Sequence, residues 1–486
     1  MLNVAAVFSD HMVLQRELPI PVFGEADGPV RISLAGREAQ ALPENGRFCV
    51  ALPAMDAGGP YELRVVSGGE ERVFSDVMIG EVWLCGGQSN MEFRLNDDAD
   101  GLDEVATGED ALLRFYTVNE EPRVDEAMLA RERQTAWKPL APGTCGDVSA
   151  VAYYAGRRLR AALNVPVGML ICCIGGSEIA CWMSREALTS FAEGEVRLRA
   201  FEEASAQVSD EAFERADAEY TARVDAWCRA ADAVKANHHG IRGCDIARQV
   251  GDFPWPPPTG RWMLRRPGGP WETMVCRIAP YAARGLLWYQ GETDAGTPEG
   301  YAARLSRLVA EWRAAFRNDA LCAVVAQLPG YGSDPAAENW PAIRRDQQLV
   351  CDSTPGCALV CLLDCGESDD IHPWAKRTPG TRMADAALKA AYGAGDGAQA
   401  PRLESVARLA DGLVLRFTRP LAPREEGFES LLADGAAARA RIEADGALRI
   451  DGAGLRAVAY AQQNDPKPCL FGNDGMPALP FEWRAE

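Results

Sequence analysis

Val82-Trp83-Leu84-Cys85 is a short unbroken apolar run, and Gly86-Gly87-Gln88-Ser89-Asn90 follows it at once. A strand buried on both faces of a parallel sheet reads as such a run rather than as an alternation. The two glycines allow a sharp strand-to-helix turn, which exposes the serine at the end of the strand. Working outward, runs of the same kind occur at 167–174, 285–289, 321–328 and 357–363. Helical patterns separate several of them. One covers 301–316, with Leu305, Leu308, Trp312 and Phe316 on one face; another covers 381–392. Strands alternating with helices predict a parallel α/β sheet. Ligands of such sheets bind at the carboxyl ends of the strands, so chemistry is sought in the loops after these runs.

The flanks read differently. Residues 1–76 hold short alternating runs such as Val30–Leu34 and Tyr61–Val66, with turns at Glu44-Asn45-Gly46 and Ser67-Gly68-Gly69. That spacing predicts a small β-sandwich. Residues 396–486 return to β, with Leu413–Phe417 and Ala447–Ile450 each following an Asp-Gly turn. Between the flanks, residues 77–395 form the α/β domain. A helical insertion near 191–250 interrupts it, where Phe213, Ala216, Tyr220, Val224, Trp227, Ala231 and Val234 make one apolar stripe. A proline- and tryptophan-rich loop follows at 252–271. Long loops of this kind in compact domains are often functional.

Composition excludes several classes. The chain has 486 residues and a net charge of −20. Nucleic acids and anionic membranes are recognised by clustered cations, so neither is an expected partner. No apolar run approaches the roughly 20 residues of a spanning helix. The N-terminus shows no secretory signal pattern. Fifteen cysteines, many inside apolar runs, point to a reducing cytoplasm. Cys357, Cys361 and Cys365 are spaced by four and no Cys pair makes the CxxC spacing of a zinc site, so no metal is expected.

Four histidines are present: His11, His238, His239 and His372. His11 lies in the N-terminal β unit and reads as structural. His238 and His239 follow the inserted helix, where a basic residue satisfies terminal carbonyls. His372 lies just after the last sheet run, behind Asp369 and Asp370, either of which can orient an imidazole that acts as a base. Ser89 offers a nucleophile. Ile174-Gly175-Gly176-Ser177 follows the second run and can aim a backbone N–H at a ligand. Gln290, after the run at 285–289, carries a neutral amide donor. A nucleophile, two donors and a base in successive strand-end loops predict a hydrolase.

Gly80–Glu92 resembles the nucleophile block of the sialate O-acetylesterase family, within the SGNH hydrolase superfamily. Trp288-Tyr289-Gln290-Gly291-Glu292 and Asp370-Ile371-His372-Pro373 resemble two further blocks of it. The similarity extends to Phe8–Arg16, Gly58–Leu63, Ala180–Ser184 and Gly475–Phe481, and is weakest in the insertion. The resemblance implies a flavodoxin-like three-layer SGNH core with flanking β-sandwich modules. It also implies removal of acetyl groups from sugar hydroxyls without a metal or cofactor. Ser89 is then the nucleophile and His372 the base, with Ser89 and Gly176 as backbone donors to the oxyanion. Gln290 stands where the superfamily usually has an asparagine donor. The acid is Asp369 first and Asp370 second, with a backbone carbonyl as the remaining choice.

The expected substrate is an acetylated mono- or oligosaccharide, foremost an O-acetylated sialic acid. Acetylated xylo- or manno-oligosaccharide and a non-catalytic carbohydrate-binding role are the alternatives. A sialic acid carries a carboxylate, for which Arg94, Arg261, Arg265 and Arg266 are available. Trp182, Trp255, Trp262, Trp271 and Trp288 are available for stacking on a sugar. Net charge leaves the oligomeric state open.

Overall fold

In the computed structural model, which describes residues 1–237, 240–424 and 427–485, the run at Val82 is the inner half of one long strand, β1 (Glu70–Gly87). Five more strands run parallel to it: β2 (Asp110–Thr117), β3 (Val167–Cys173), β4 (Gly285–Tyr289), β5 (Cys322–Ala326) and β6 (Cys357–Val360). Their spatial order is β2-β3-β1-β4-β5-β6, with Lys138–Leu140 added antiparallel beyond β2. The chain fills one side of β1 first and the other side afterwards. That reversal opens a crevice at the carboxyl end of β1, the usual ligand position in such sheets.

Helices meet both faces of this sheet. Gly285 pairs with Trp83 and Trp288 with Gly86, so side chains at 83 and 288 point to opposite faces. Trp83 contacts Tyr392 at the end of the helix Arg377–Tyr392, and Trp288 contacts Trp312 of the helix Tyr301–Ala315. The helix Ala150–Leu163 packs on Arg377–Tyr392. Its start is capped by Ser149, whose hydroxyl accepts from the Ala152 N–H at 3.0 Å.

The outer half of β1 belongs to an antiparallel arrangement with Gly58–Ser67 and Val30–Leu34, beside a three-stranded sheet of Leu2–Val4, Ile20–Ala26 and Arg47–Leu52. The boundary expected at residue 76 falls inside this strand. Glu81, fully buried at the junction, is held by Arg16, Arg284 and Gln15. A buried carboxylate needs such partners to offset its lost hydration. Beyond the helix Arg377–Tyr392, two four-stranded antiparallel sheets enclose Leu415, Leu431, Ile450 and Tyr460.

The insertion is helical as expected, with helices Ala192–Ser205, Asp210–Asn237 and Gly243–Val250. All seven residues of the expected stripe are buried or half-buried, and from Glu214 to Ala233 every other residue is exposed. Among the described residues, no helix is long and apolar enough to cross a membrane.

Candidate active site

Ser89 opens a short helix, Ser89–Glu92, directly at the carboxyl end of β1. The approach requires glycine at 87. Its φ is +139°, and a Cβ there would lie 2.0 Å from the Tyr289 carbonyl oxygen. As the first residue of a helix, Ser89 has an N–H without an intrahelical acceptor. Gly176, in the turn after β3, has φ +67°. Neither N–H donates to a group among the described residues. The two loops touch: a Cβ at Gly175 would lie 3.3 Å from the Ser89 Cβ. The Glu92 carboxylate accepts the Gly175 N–H and pins the turn against the serine's own helix.

His372 lies in the loop after β6. A buried hydrogen-bond network ties this loop to the serine. Asn90 Nδ2 donates to the Ile371 carbonyl at 3.1 Å and to Glu292 Oε1 at 2.6 Å. Lys376 Nζ donates to Asn90 Oδ1 at 2.6 Å. The neighbours of Ser89 and His372 are thus bonded to each other. Burial pushes the His372 imidazole down to about 4; the nearby Lys376 ammonium adds to this, and Asp370 opposes it. The ring is therefore neutral at pH 7, the form in which a general base acts. Burial also pushes Lys376 down to about 8, although Glu292, Asp98 and Asp370 favour its charge.

The two candidate acids separate. Asp370 Oδ1 accepts the backbone N–H of His372 at 2.9 Å, and its Oδ2 accepts the Cys244 N–H at 2.8 Å. It shapes the loop, and among the described residues neither acid bonds the imidazole ring. Asp369, expected first, turns outward to the insertion. It pairs with Arg248 at 2.9 Å and Arg242 at 3.5 Å, and these cations hold its carboxyl below the usual range. The backbone bends so that adjacent carboxylates point to different partners, and the one facing two arginines is drawn to them.

Gln290 corrects a second expectation. Its Nε2 donates to Asp294 Oδ2 at 2.6 Å and also reaches the Ser177 carbonyl and Gln88 Oε1. Its Oε1 accepts from the Tyr301 hydroxyl. The amide is fully buried and committed to this network, because Asp294 is itself a buried carboxylate beside Arg304 that requires donors. Gln290 braces the strand ends from behind instead of offering a free donor.

Of the tryptophans, Trp182 and Trp288 are core. Trp262 lies under Arg123, Arg261 and Arg266, and Trp271 is half-buried. Trp255 is half-exposed and lies against Gly176: a Cβ at Gly176 would fall 2.2 Å from the indole. His11 pairs with Asp76 at 2.7 Å in the N-terminal unit. His238 and His239 lie outside the described residues.

Sequence reasoning missed the parts played by Asn90, Glu292 and Lys376. One signal was available for the last. Lysine occurs five times in this chain against 45 arginines, and one of the five follows His372 by four residues.

Comparison with known proteins defines the class: this chain is a carboxylic ester hydrolase. Residues 259–389 match the model of a family described as carbohydrate esterase, sialic acid-specific acetylesterase. The chain is 24% identical to the sialate O-acetylesterase of Rattus norvegicus over 431 residues, covering 80% of this chain and 73% of that one. It is 23% identical to the Homo sapiens enzyme of the same name, covering 80% and 71%. The crystal structure of a carbohydrate acetylesterase from Xanthomonas citri superposes with a TM-score of 0.74 at 26% identity, covering all of both chains.

Proposed function

We propose that the chain hydrolyses O-acetyl esters on sugars, foremost on sialic acid, through an acetyl-serine intermediate. The observation that carries this reading is the pair of uncommitted N–H groups at Ser89 and Gly176 on touching loops, with the His372 loop bonded through the Ile371 carbonyl to Asn90, the residue after the serine. Such donors are what an acyl-transfer oxyanion requires.

In this reading His372 takes the Ser89 proton as the hydroxyl oxygen attacks the acetyl carbonyl. The oxyanion forms against the Ser89 and Gly176 N–H groups. The sugar hydroxyl leaves with the proton from His372. Water, deprotonated by His372, then releases acetate and regenerates Ser89. Asp370 acts on His372 through its backbone N–H and its charge. The substrate names of the relatives support an acetylated sugar.

We further read the parallel sheet and its helices as the three-layer SGNH core. Without β2 its order is β3-β1-β4-β5-β6, the 2-1-3-4-5 pattern of flavodoxin-like sheets. The division into a β-sandwich at 1–76, a hydrolase domain at 77–395 and a β module at 396–486 is part of the same proposal. So is a reducing cytoplasmic address, supported by free thiols buried at Cys85, Cys172, Cys173, Cys181 and Cys322.

The test is acetate release from O-acetylated sialic acid and from acetylated xylo-oligosaccharide, with the unmodified protein and with Ser89→Ala. Release from the sialic acid that vanishes in the variant supports the reading. Release from neither sugar, or release undiminished in the variant, overturns it.

A further inference from the structure

Four arginines were open to a carboxylated sugar, and the structure separates them. Arg94 pairs with Asp97 at 2.9 Å, Arg261 with Asp210 at 2.6 Å, and Arg266 with Glu272 at 2.8 Å. Arg265 differs. Its Nε donates to the Gly175 carbonyl, and its guanidinium lies 5.7 Å from the centre of the Trp255 ring. Its two Nη groups make no hydrogen bond or ion pair among the described residues. A guanidinium with a free fork is suited to bind a carboxylate through two parallel bonds.

Its position matters as much as its freedom. Gly175 touches Ser89, and Gly176 carries one of the two uncommitted donors. Trp255 rests on Gly176 with half its surface open. A ligand with an acetyl carbonyl at those donors would therefore meet an aromatic face and a cation within one residue of the reacting serine. An indole face suits the C–H face of a sugar ring, and the guanidinium beside it adds a charge that neutral sugars do not need.

We propose that Trp255 and Arg265 form the subsite for a carboxylate-bearing sugar, with the Nη pair of Arg265 binding the carboxylate and Trp255 stacking on the ring. This rests on reading Ser89 and Gly176 as the reaction centre. Nearby charges are compatible with it. Glu92 is engaged by the Gly175 N–H. Burial and the Glu92 carboxylate push the Glu120 carboxyl up to about 8, and the Arg265 charge opposes that rise.

The test compares three acetyl esters: an O-acetylated sialic acid, the same sugar with its carboxylate methylated, and p-nitrophenyl acetate. The unmodified protein should show kcat/KM at least about tenfold higher for the free acid than for its methyl ester, in line with charge-assisted bonding. Arg265→Met should abolish that preference, chiefly through a raised KM for the free acid. Trp255→Ala should raise KM for both sugars. Equal turnover of acid and methyl ester by the unmodified protein overturns the subsite alone. So does a loss in Arg265→Met that falls equally on all three esters, since that marks a merely structural role under the Gly175 turn. Failure to hydrolyse any of the three overturns the esterase reading itself, and the subsite with it.

Discussion

Asn90 donates its side-chain amide to the carbonyl of Ile371 at 3.1 Å. One residue follows the proposed nucleophile and the other precedes the proposed base, and 281 positions of chain separate them. The same amide group holds Glu292 through its nitrogen and Lys376 through its oxygen. Three strand-end loops therefore meet on one buried side chain. Buried polar networks fix a geometry that apolar packing leaves looser, although Glu292 Oε2 in this one has no partner among the described residues.

Asn90→Ala should accordingly act on alignment. Removing one partner strands buried polar groups and costs about 1–3 kcal/mol of stability. Below the melting temperature, kcat for an acetylated sugar should fall by at least about tenfold, with KM nearly unchanged. Thermal unfolding and steady-state kinetics on one preparation check this. A variant that loses stability but keeps kcat would show that the link is structural only.

The acid limb of the pH profile should be displaced. A base must be neutral to work, so activity is lost as pH falls through the histidine's value. With His372 pushed down to about 4, kcat/KM should hold well below pH 6 and decline only near 4. Lys376→Met removes a cation that disfavours the imidazolium, and should move that limb upward toward the ordinary histidine value. A limb at 6 to 7 in the unmodified protein would show that burial and Lys376 do not depress His372.

Asp369 and Asp370 should differ in effect. Asp370→Ala removes the acceptor of the His372 N–H and should lower kcat/KM by about 10² or more, a loss in the range of general acid–base contributions. Asp369→Ala breaks half-exposed, solvent-screened pairs with Arg248 and Arg242, and activity should stay within about twofold. The reverse ranking would restore Asp369 as the orienting acid.

Gln290→Ala should destabilise more than it slows. An oxyanion donor is worth about 10²–10³ in kcat. A brace on Asp294 instead costs folding free energy, with kcat reduced by less than about tenfold where the variant is folded. Urea unfolding beside kinetics separates these outcomes, and a loss of 10² or more in a folded variant would return Gln290 to the oxyanion.

What the sequence made legible follows from what is local. The run at Val82, its glycine turn and the strands after it were readable because burial on both faces leaves an unbroken apolar pattern. The inserted helix was readable because its stripe keeps helical spacing over 22 residues, from Phe213 to Val234. Gln290 and Asp369 were misplaced for the opposite reason. Their side chains are decided by Asp294 and by Arg242 and Arg248, partners that spacing does not reveal. Lys376 and Asn90 belong to the same class, since a buried cation is recognised only once its burial is known. Arg265 could be named in advance, but not preferred, until the carboxylates claiming its neighbours were in view.

If Ser89 is the nucleophile, a serine-directed reagent should modify it covalently. The protein is incubated with a fluorophosphonate, and intact mass and peptide mapping are recorded for it and for Ser89→Ala. One adduct per chain is expected, on the peptide carrying Ser89, with acetyl-sugar hydrolysis lost in step and no adduct on the variant. A preparation that hydrolyses acetyl esters while Ser89 stays unlabelled, or that is labelled elsewhere as activity falls, would contradict it.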